Sequence, residues 1–112
     1  MDSSKISMTR VGPRTILIPK TALTWENNAA LEAVYKQCLE QNSNQIVLDC
    51  KSVPLFDSAA LELMLRMTNE LRSSGGAFVL VGLNAVCHDI IMATRLDHDL
   101  QVFKNLQEVV LA

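Results

Sequence analysis

Apolar residues recur along this chain with two different periods, and the place where one period gives way to the other organises the rest. Ile46-Val47-Leu48-Asp49-Cys50 is a short aliphatic run between polar flanks. It is too short for a free-standing helix and reads as a buried strand. Lys51-Ser52-Val53-Pro54 breaks it, because a proline disfavours helix at the residue before it. Leu55 and Phe56 follow, and from Asp57-Ser58 the spacing becomes helical. Leu61, Met64, Leu65, Thr68 and Leu71 mark one face, widened by Leu63 and Met67. The spacing predicts a helix to about Ser73, stopped by Gly75-Gly76.

The remaining elements follow the same logic. Ile6 to Val11 and Arg14 to Ile18 are expected strands joined by a Gly12-Pro13 turn, the second ended by Pro19. A helix is predicted from Thr24, an expected N-cap with Glu26 in the first turn. Its inward face is Ala30, Leu31, Val34, Tyr35, Cys38 and Leu39, and Asn42-Ser43-Asn44 ends it. Ala77 to Val81 is a further strand. Asn84 to Thr94 is a short helix with Val86, Ile90, Ile91 and Ala93 apolar. Leu96 to Leu100 is loop, Gln101 to Phe103 an edge strand, and Asn105 to Leu111 a last helix with Leu106, Val109 and Val110 facing in. Strands alternating with helices after a hairpin imply a single α/β domain over residues 1–112. The expected sheet is mixed but mostly parallel, with an N-terminal antiparallel hairpin, packed with about four helices.

Composition narrows the function classes. The chain has 112 residues, 49% of them hydrophobic, enough for one buried core. With a net charge of −2 and basic residues scattered along the chain, it lacks a nucleic-acid footprint. Its apolar runs fall far short of the roughly 20 residues of a membrane span, and its first residues do not lead into a signal-peptide core. Three widely spaced cysteines, Cys38, Cys50 and Cys87, point to reduced thiols in a cytoplasmic protein.

Catalysis is hard to build from what remains. Gly75-Gly76 ends a helix and precedes a strand, the wrong order for a phosphate-cradling loop. His88-Asp89 and Asp97-His98-Asp99 lack metal-ligand spacing, Cys87 being merely the neighbour of His88, and they read as solvated loop. Ser58 with His88 or His98 lacks the glycines of a nucleophile elbow. Cys50 reads as a small buried residue, and Met64 and Met67 as core. No cofactor, no metal and no enzymatic activity is implied. Ser58 is the informative residue, at the handover from strand to helix. Its hydroxyl is either an N-cap, worth about 1 kcal/mol, or also a phosphate acceptor, since a helix N-terminus favours an anion. Asp57 sets a like charge beside that phosphate, so modification would change the local field sharply.

The run Ile46-Val47-Leu48-Asp49, then Val53-Pro54-Leu55-Phe56-Asp57-Ser58-Ala59-Ala60-Leu61, resembles the signature of STAS domains, the family of bacterial anti-sigma factor antagonists. Ser74-Gly75-Gly76 before Phe78-Val79-Leu80-Val81, and Thr94-Arg95-Leu96-Asp97 before Val102-Phe103, match in register, so the resemblance spans nearly the whole chain. It implies a phosphorylation-switched binding module that regulates transcription. In such a module the unphosphorylated antagonist sequesters an anti-sigma factor that is itself a serine kinase of the GHKL type. Phosphorylation abolishes binding and a cognate serine phosphatase restores it. The acceptor maps to Ser58, with Asp57, Ala59, Ala60 and Leu61 on the same docking surface. The resemblance implies neither nucleic-acid binding nor membrane insertion. STAS domains also serve as constitutive accessory subunits of lipid-transport ABC systems or stress-sensing complexes, which is the alternative expectation. Two stretches depart from the family pattern. Ala60 stands where glycine is frequent, adding a methyl group expected to narrow partner choice. Thr21-Ala22-Leu23-Thr24 replaces a Gly-x-Leu-Asp sequence and removes its acid.

Overall fold

The computed structural model describes residues 5–111. Its strands are β1 (Ile6–Val11), β2 (Arg14–Pro19), β3 (Gln45–Asp49), β4 (Ala77–Val81) and β5 (Gln101–Phe103). They form one sheet in the order β1-β2-β3-β4-β5. β1 and β2 are the antiparallel hairpin, closed so that Val11 faces Arg14. The other neighbours are parallel, with Ile16 beside Val47, Val47 beside Val79 and Val79 beside Gln101. Parallel neighbours need a crossover. Those crossovers contain α1 (Asn28–Glu40), α2 (Ser58–Ser73) and α3 (Ala85–Ala93), and α4 (Leu106–Leu111) follows β5.

Strand alternation sorts the sheet into two faces. Leu17, Ile46, Leu48, Phe78 and Leu80 join the buried residues of α1, α2 and α3 in one core. Ile16, Val47, Val79 and Val81 form a smaller cluster on the other face, covered by Val109 and Leu106 of α4. The longest helix, α2, buries Ala60, Leu61, Leu63, Met64, Met67, Thr68 and Leu71. It ends as its glycines demand: Gly75 has φ +82°, and the amides of Gly75 and Gly76 donate back to the carbonyls of Arg72 and Leu71. A Cβ on Gly76 would collide with the carbonyl oxygen of Asn44. Across the outer surface, Arg66 bonds Glu32 at 2.8 Å and the Tyr35 hydroxyl donates to Glu70 at 2.7 Å, joining α1 to α2.

Several apolar side chains of the expected helix faces lie farther out. Leu39, Val86, Ala93 and Val110 are exposed, and Leu65, like Ala30, Ile90 and Leu106, is only half-buried. For Leu39, Val86, Val110 and Leu65 an adjacent residue, Cys38, Cys87, Val109 or Met64, takes the buried position. Successive helical residues point about 100° apart, so one of each pair turns outward. The loop expected over Leu96 to Leu100 contains a short 3-10 turn, Leu96–His98, with Leu100 buried.

Candidate protein-docking site

Because β2, β3 and β4 run parallel, the loops leaving their carboxyl ends gather at one end of the sheet. These are the stretches after Pro19, after Asp49 and after Val81. The strand order has no reversal, so the sheet lacks the switch-point crevice in which open α/β sheets bind ligands. The three loops instead stitch to one another. Leu23 N donates to Leu55 O and Asp57 N to Leu23 O, both at 3.1 Å. Asn84 Nδ2 donates to the carbonyls of Val53 and Pro54 at 3.4 and 3.3 Å. Asn28 Nδ2 donates to Ala59 O at 3.1 Å.

At the centre stands Asp57. Its backbone is extended, and its Oδ1 accepts the amide of Ala60 at 2.9 Å, so Asp57 is the N-cap of α2. Its Oδ2 accepts the amide of Trp25 at 2.8 Å. One carboxylate therefore holds the start of α2 and the 3-10 turn Trp25–Asn27 that leads into α1. Two expectations are corrected by this. The hydroxyl of Ser58 is not the cap, because Ser58 is already the first helical residue. Thr24 has the extended backbone of a cap but its side chain makes no capping bond, and α1 proper begins at Asn28. A carboxylate offers two acceptor oxygens where a hydroxyl offers a single atom, which is why Asp57 can serve both turns.

Ser58 is exposed, and among the described residues its hydroxyl takes part in no hydrogen bond. It occupies the first turn, where backbone amides have no partner within the helix. Ala59 is half-buried beside it, its carbonyl engaged by Asn28. Ala60 and Leu61, expected on the docking surface, are 0% and 5% exposed and face the core. Their side chains anchor the helix start, and the methyl group of Ala60 presents no obstacle to a partner. Asp57, Ser58 and Ala59 are thus brought together at the surface, and Ala60 and Leu61 lie beneath it.

The other candidate chemistry is dispersed. Cys50 and Cys87 are buried under the loop. Burial pushes both thiols up, and the neighbouring Cys87 and Asp49 push Cys50 further. They therefore stay protonated and poor as nucleophiles. His98, its side chain 81% exposed, lies 3.9 Å from Asp97 at the far end of α3. Among the described residues no three metal-ligating side chains gather. A cavity of about 150 Å³ lies on the α4 face of the sheet, lined by Arg14, Gln45, Val47, Val79, Phe103 and Val109, remote from Ser58. The residue that sequence reasoning missed is Trp25, which is 70% exposed and hydrogen-bonded to Asp57 through its backbone. Its signal was its place two residues after Leu23, directly following the stretch that departs from the family pattern.

Residues 5–109 match the STAS domain. The chain belongs to the STAS domain family. It is 29% identical over 94 residues, 83% of each chain, to a protein of Thermotoga maritima named as a candidate anti-sigma factor antagonist. A crystal structure of a candidate anti-sigma factor antagonist from Thermotoga maritima superposes with a TM-score of 0.88 at 26% identity, covering 96% of this chain and 93% of that one. The Bacillus cell fate determinant SpoIIAA in its phosphorylated form shares the fold, with a TM-score of 0.69 at 13% identity over 93% and 96% of the two chains. Among the described residues no helix is long and apolar enough to cross a membrane.

Proposed function

We propose that this STAS domain is a cytoplasmic anti-sigma factor antagonist that acts by binding rather than by catalysis, and that Ser58 is its phosphorylation switch. The partner in this reading is an anti-sigma factor serine kinase of the GHKL type, with a cognate serine phosphatase resetting the switch. One observation carries the proposal. Asp57 performs the capping of α2, so the exposed hydroxyl of Ser58 is left over for another use. A phosphate there meets the unpaired amides of the first turn, which favour it, and the carboxylate of Asp57, which opposes it. Either way the docking surface gains charge that must be stripped of water when a partner binds. The fold shared with SpoIIAA, a protein solved in both an unphosphorylated and a phosphorylated form, supports the same reading.

The test is a titration of wild type, Ser58→Asp and Ser58→Ala against a purified GHKL-type anti-sigma factor kinase from the same organism. Ser58→Asp is expected to bind at least about a hundredfold more weakly, a loss of about 2.7 kcal/mol. Ser58→Ala should bind like wild type, because the hydroxyl holds no cap. Incubation with the partner and ATP should add one phosphate to wild type and none to Ser58→Ala, read by mass spectrometry. Equal binding by Ser58→Asp together with no phosphate on wild type overturns the proposal. The constitutive-subunit reading would replace it, and the missing acid in Thr21-Ala22-Leu23-Thr24 is the observation that favours that alternative.

A further inference from the structure

The Ser58 end of the molecule carries a feature that a phosphorylation switch does not require. Trp25, the chain's one tryptophan, is 70% exposed, and Leu55 and Val86 are 42% and 53% exposed. Tryptophan is highly buried on average in folded proteins. Leu55 lies in one of the three loops that hydrogen bonds stitch together at the carboxyl end of the sheet, and Trp25 and Val86 lie in the first turns of the helical segments that the other two lead into. Trp25 is tied to Asp57, Leu55 accepts from Leu23, and the helix bearing Val86 is tied to Val53 and Pro54 through Asn84.

Charge around them is mostly negative. The stretches 20–35, 50–65 and 82–94, which build this end, contain Glu26, Glu32, Asp57, Glu62 and Asp89 against two bases, Lys20 and Lys51. Among the described residues Lys51 pairs with Asp49, and of those five acids only Glu32 pairs with a cation, Arg66. Glu62 lies one turn beyond Ser58 on the same exposed face of α2. A surface with this excess of acid repels a second copy of itself and repels anionic lipid, so neither suits these exposed apolar side chains.

We propose that Trp25 is the anchor of the docking surface, and that it fits an apolar pocket rimmed by lysine and arginine on the partner protein. The inference rests on the function proposed above for the identity of that partner, the anti-sigma factor. Buried tryptophans dominate the energetics of protein interfaces from dry central pockets, while charges at the rim set the rate of encounter. The amide of Trp25 is already fixed by Asp57, so little backbone freedom remains to be lost on docking. Ser58 adjoins Asp57 in the chain, which places its phosphate next to this dry centre rather than at the basic rim. That is why added negative charge weakens a complex whose rim is acidic.

The experiment uses the full chain labelled with 5-fluorotryptophan, titrated with a purified GHKL-type anti-sigma factor kinase from the same organism. The one fluorine resonance should shift or broaden as partner is added. Trp25→Ala should keep the circular dichroism and melting of wild type, because the side chain is mostly in solvent, yet bind at least about 30-fold more weakly. Trp25→Phe should recover part of that loss. The double variant Glu26→Lys/Glu62→Lys should associate about tenfold more slowly at low salt, with a flatter salt dependence. If wild type binds but Trp25→Ala binds within about threefold of it, the anchor is overturned and the function proposed above stands. Faster association of the double variant overturns the basic rim. A fluorine shift driven by this chain's own concentration assigns the surface to a second copy and overturns the partner. Failure of wild type to bind overturns both readings together.

Discussion

α2 and α3 open on either side of the same loop with the same device, yet the two starts differ in what they hold. Asp57 Oδ1 accepts the amide three residues on at 2.9 Å, and Asn84 Oδ1 does the same at 2.7 Å. The second atom of each side chain makes the difference. The second oxygen of Asp57 is an acceptor and captures the amide of Trp25, 32 residues away in sequence. The nitrogen of Asn84 is a donor and serves the carbonyls of Val53 and Pro54. The carboxylate thus gathers amides and brings two helix starts together, whereas the amide group pins a loop. Below the caps, α2 sinks seven residues into the core and α3 only Cys87 and Ile91. Ser58 is therefore presented on the rigid helix, and Val86 on the lighter one. A switch residue gains from this arrangement, since a phosphate on a firmly held turn changes a surface rather than melting a helix.

The comparison can be broken at three depths. Removing the anchor of α2 should have the largest effect: Leu71→Ala, 1% exposed in wild type, should lose about 2–5 kcal/mol in urea unfolding. Leu65→Ala, half-buried, should lose distinctly less, and equal losses would mean that the two sides of α2 are not distinguished by packing. Next comes the shared carboxylate. Asp57→Ala removes two hydrogen bonds to a charged acceptor and should cost about 2–4 kcal/mol. Asp57→Asn keeps the cap but sets a donor against the amide of Trp25, and should recover only the capping part. If Asp57→Asn is as stable as wild type, the link to Trp25 contributes nothing. Asn84→Ala should cost least, about 1 kcal/mol. Asn84→Asp should do no better, because it keeps the cap while turning a carboxylate oxygen onto two carbonyls. An Asn84→Asp variant more stable than wild type would refute the distinction drawn between the two caps.

Much of this molecule is determined by the sequence alone, because the informative patterns are local. The aliphatic run at Ile46 to Leu48 is too short to be anything but a buried strand, and the helical spacing from Leu61 to Leu71 persists long enough to identify α2. Gly75-Gly76 ends that helix by backbone chemistry that few other residues share. Crossovers between short buried strands make the sheet mostly parallel. All of these set Ser58 at the first turn of a long helix before any contact is known. Only the tertiary structure decided the rest, since adjacent residues compete and distant partners settle the outcome. Asp57 and Ser58 are both good caps, and Asp57 caps because its second oxygen also satisfies Trp25. Thr24 is left without a capping bond by the same contact. Ala60 and Leu61 turn inward because the core lies on their side of α2, and Val86 and Val110 turn outward because Cys87 and Val109 took the inward places. Burial belongs to what packs against a residue, and a single chain of letters does not show that until it has folded.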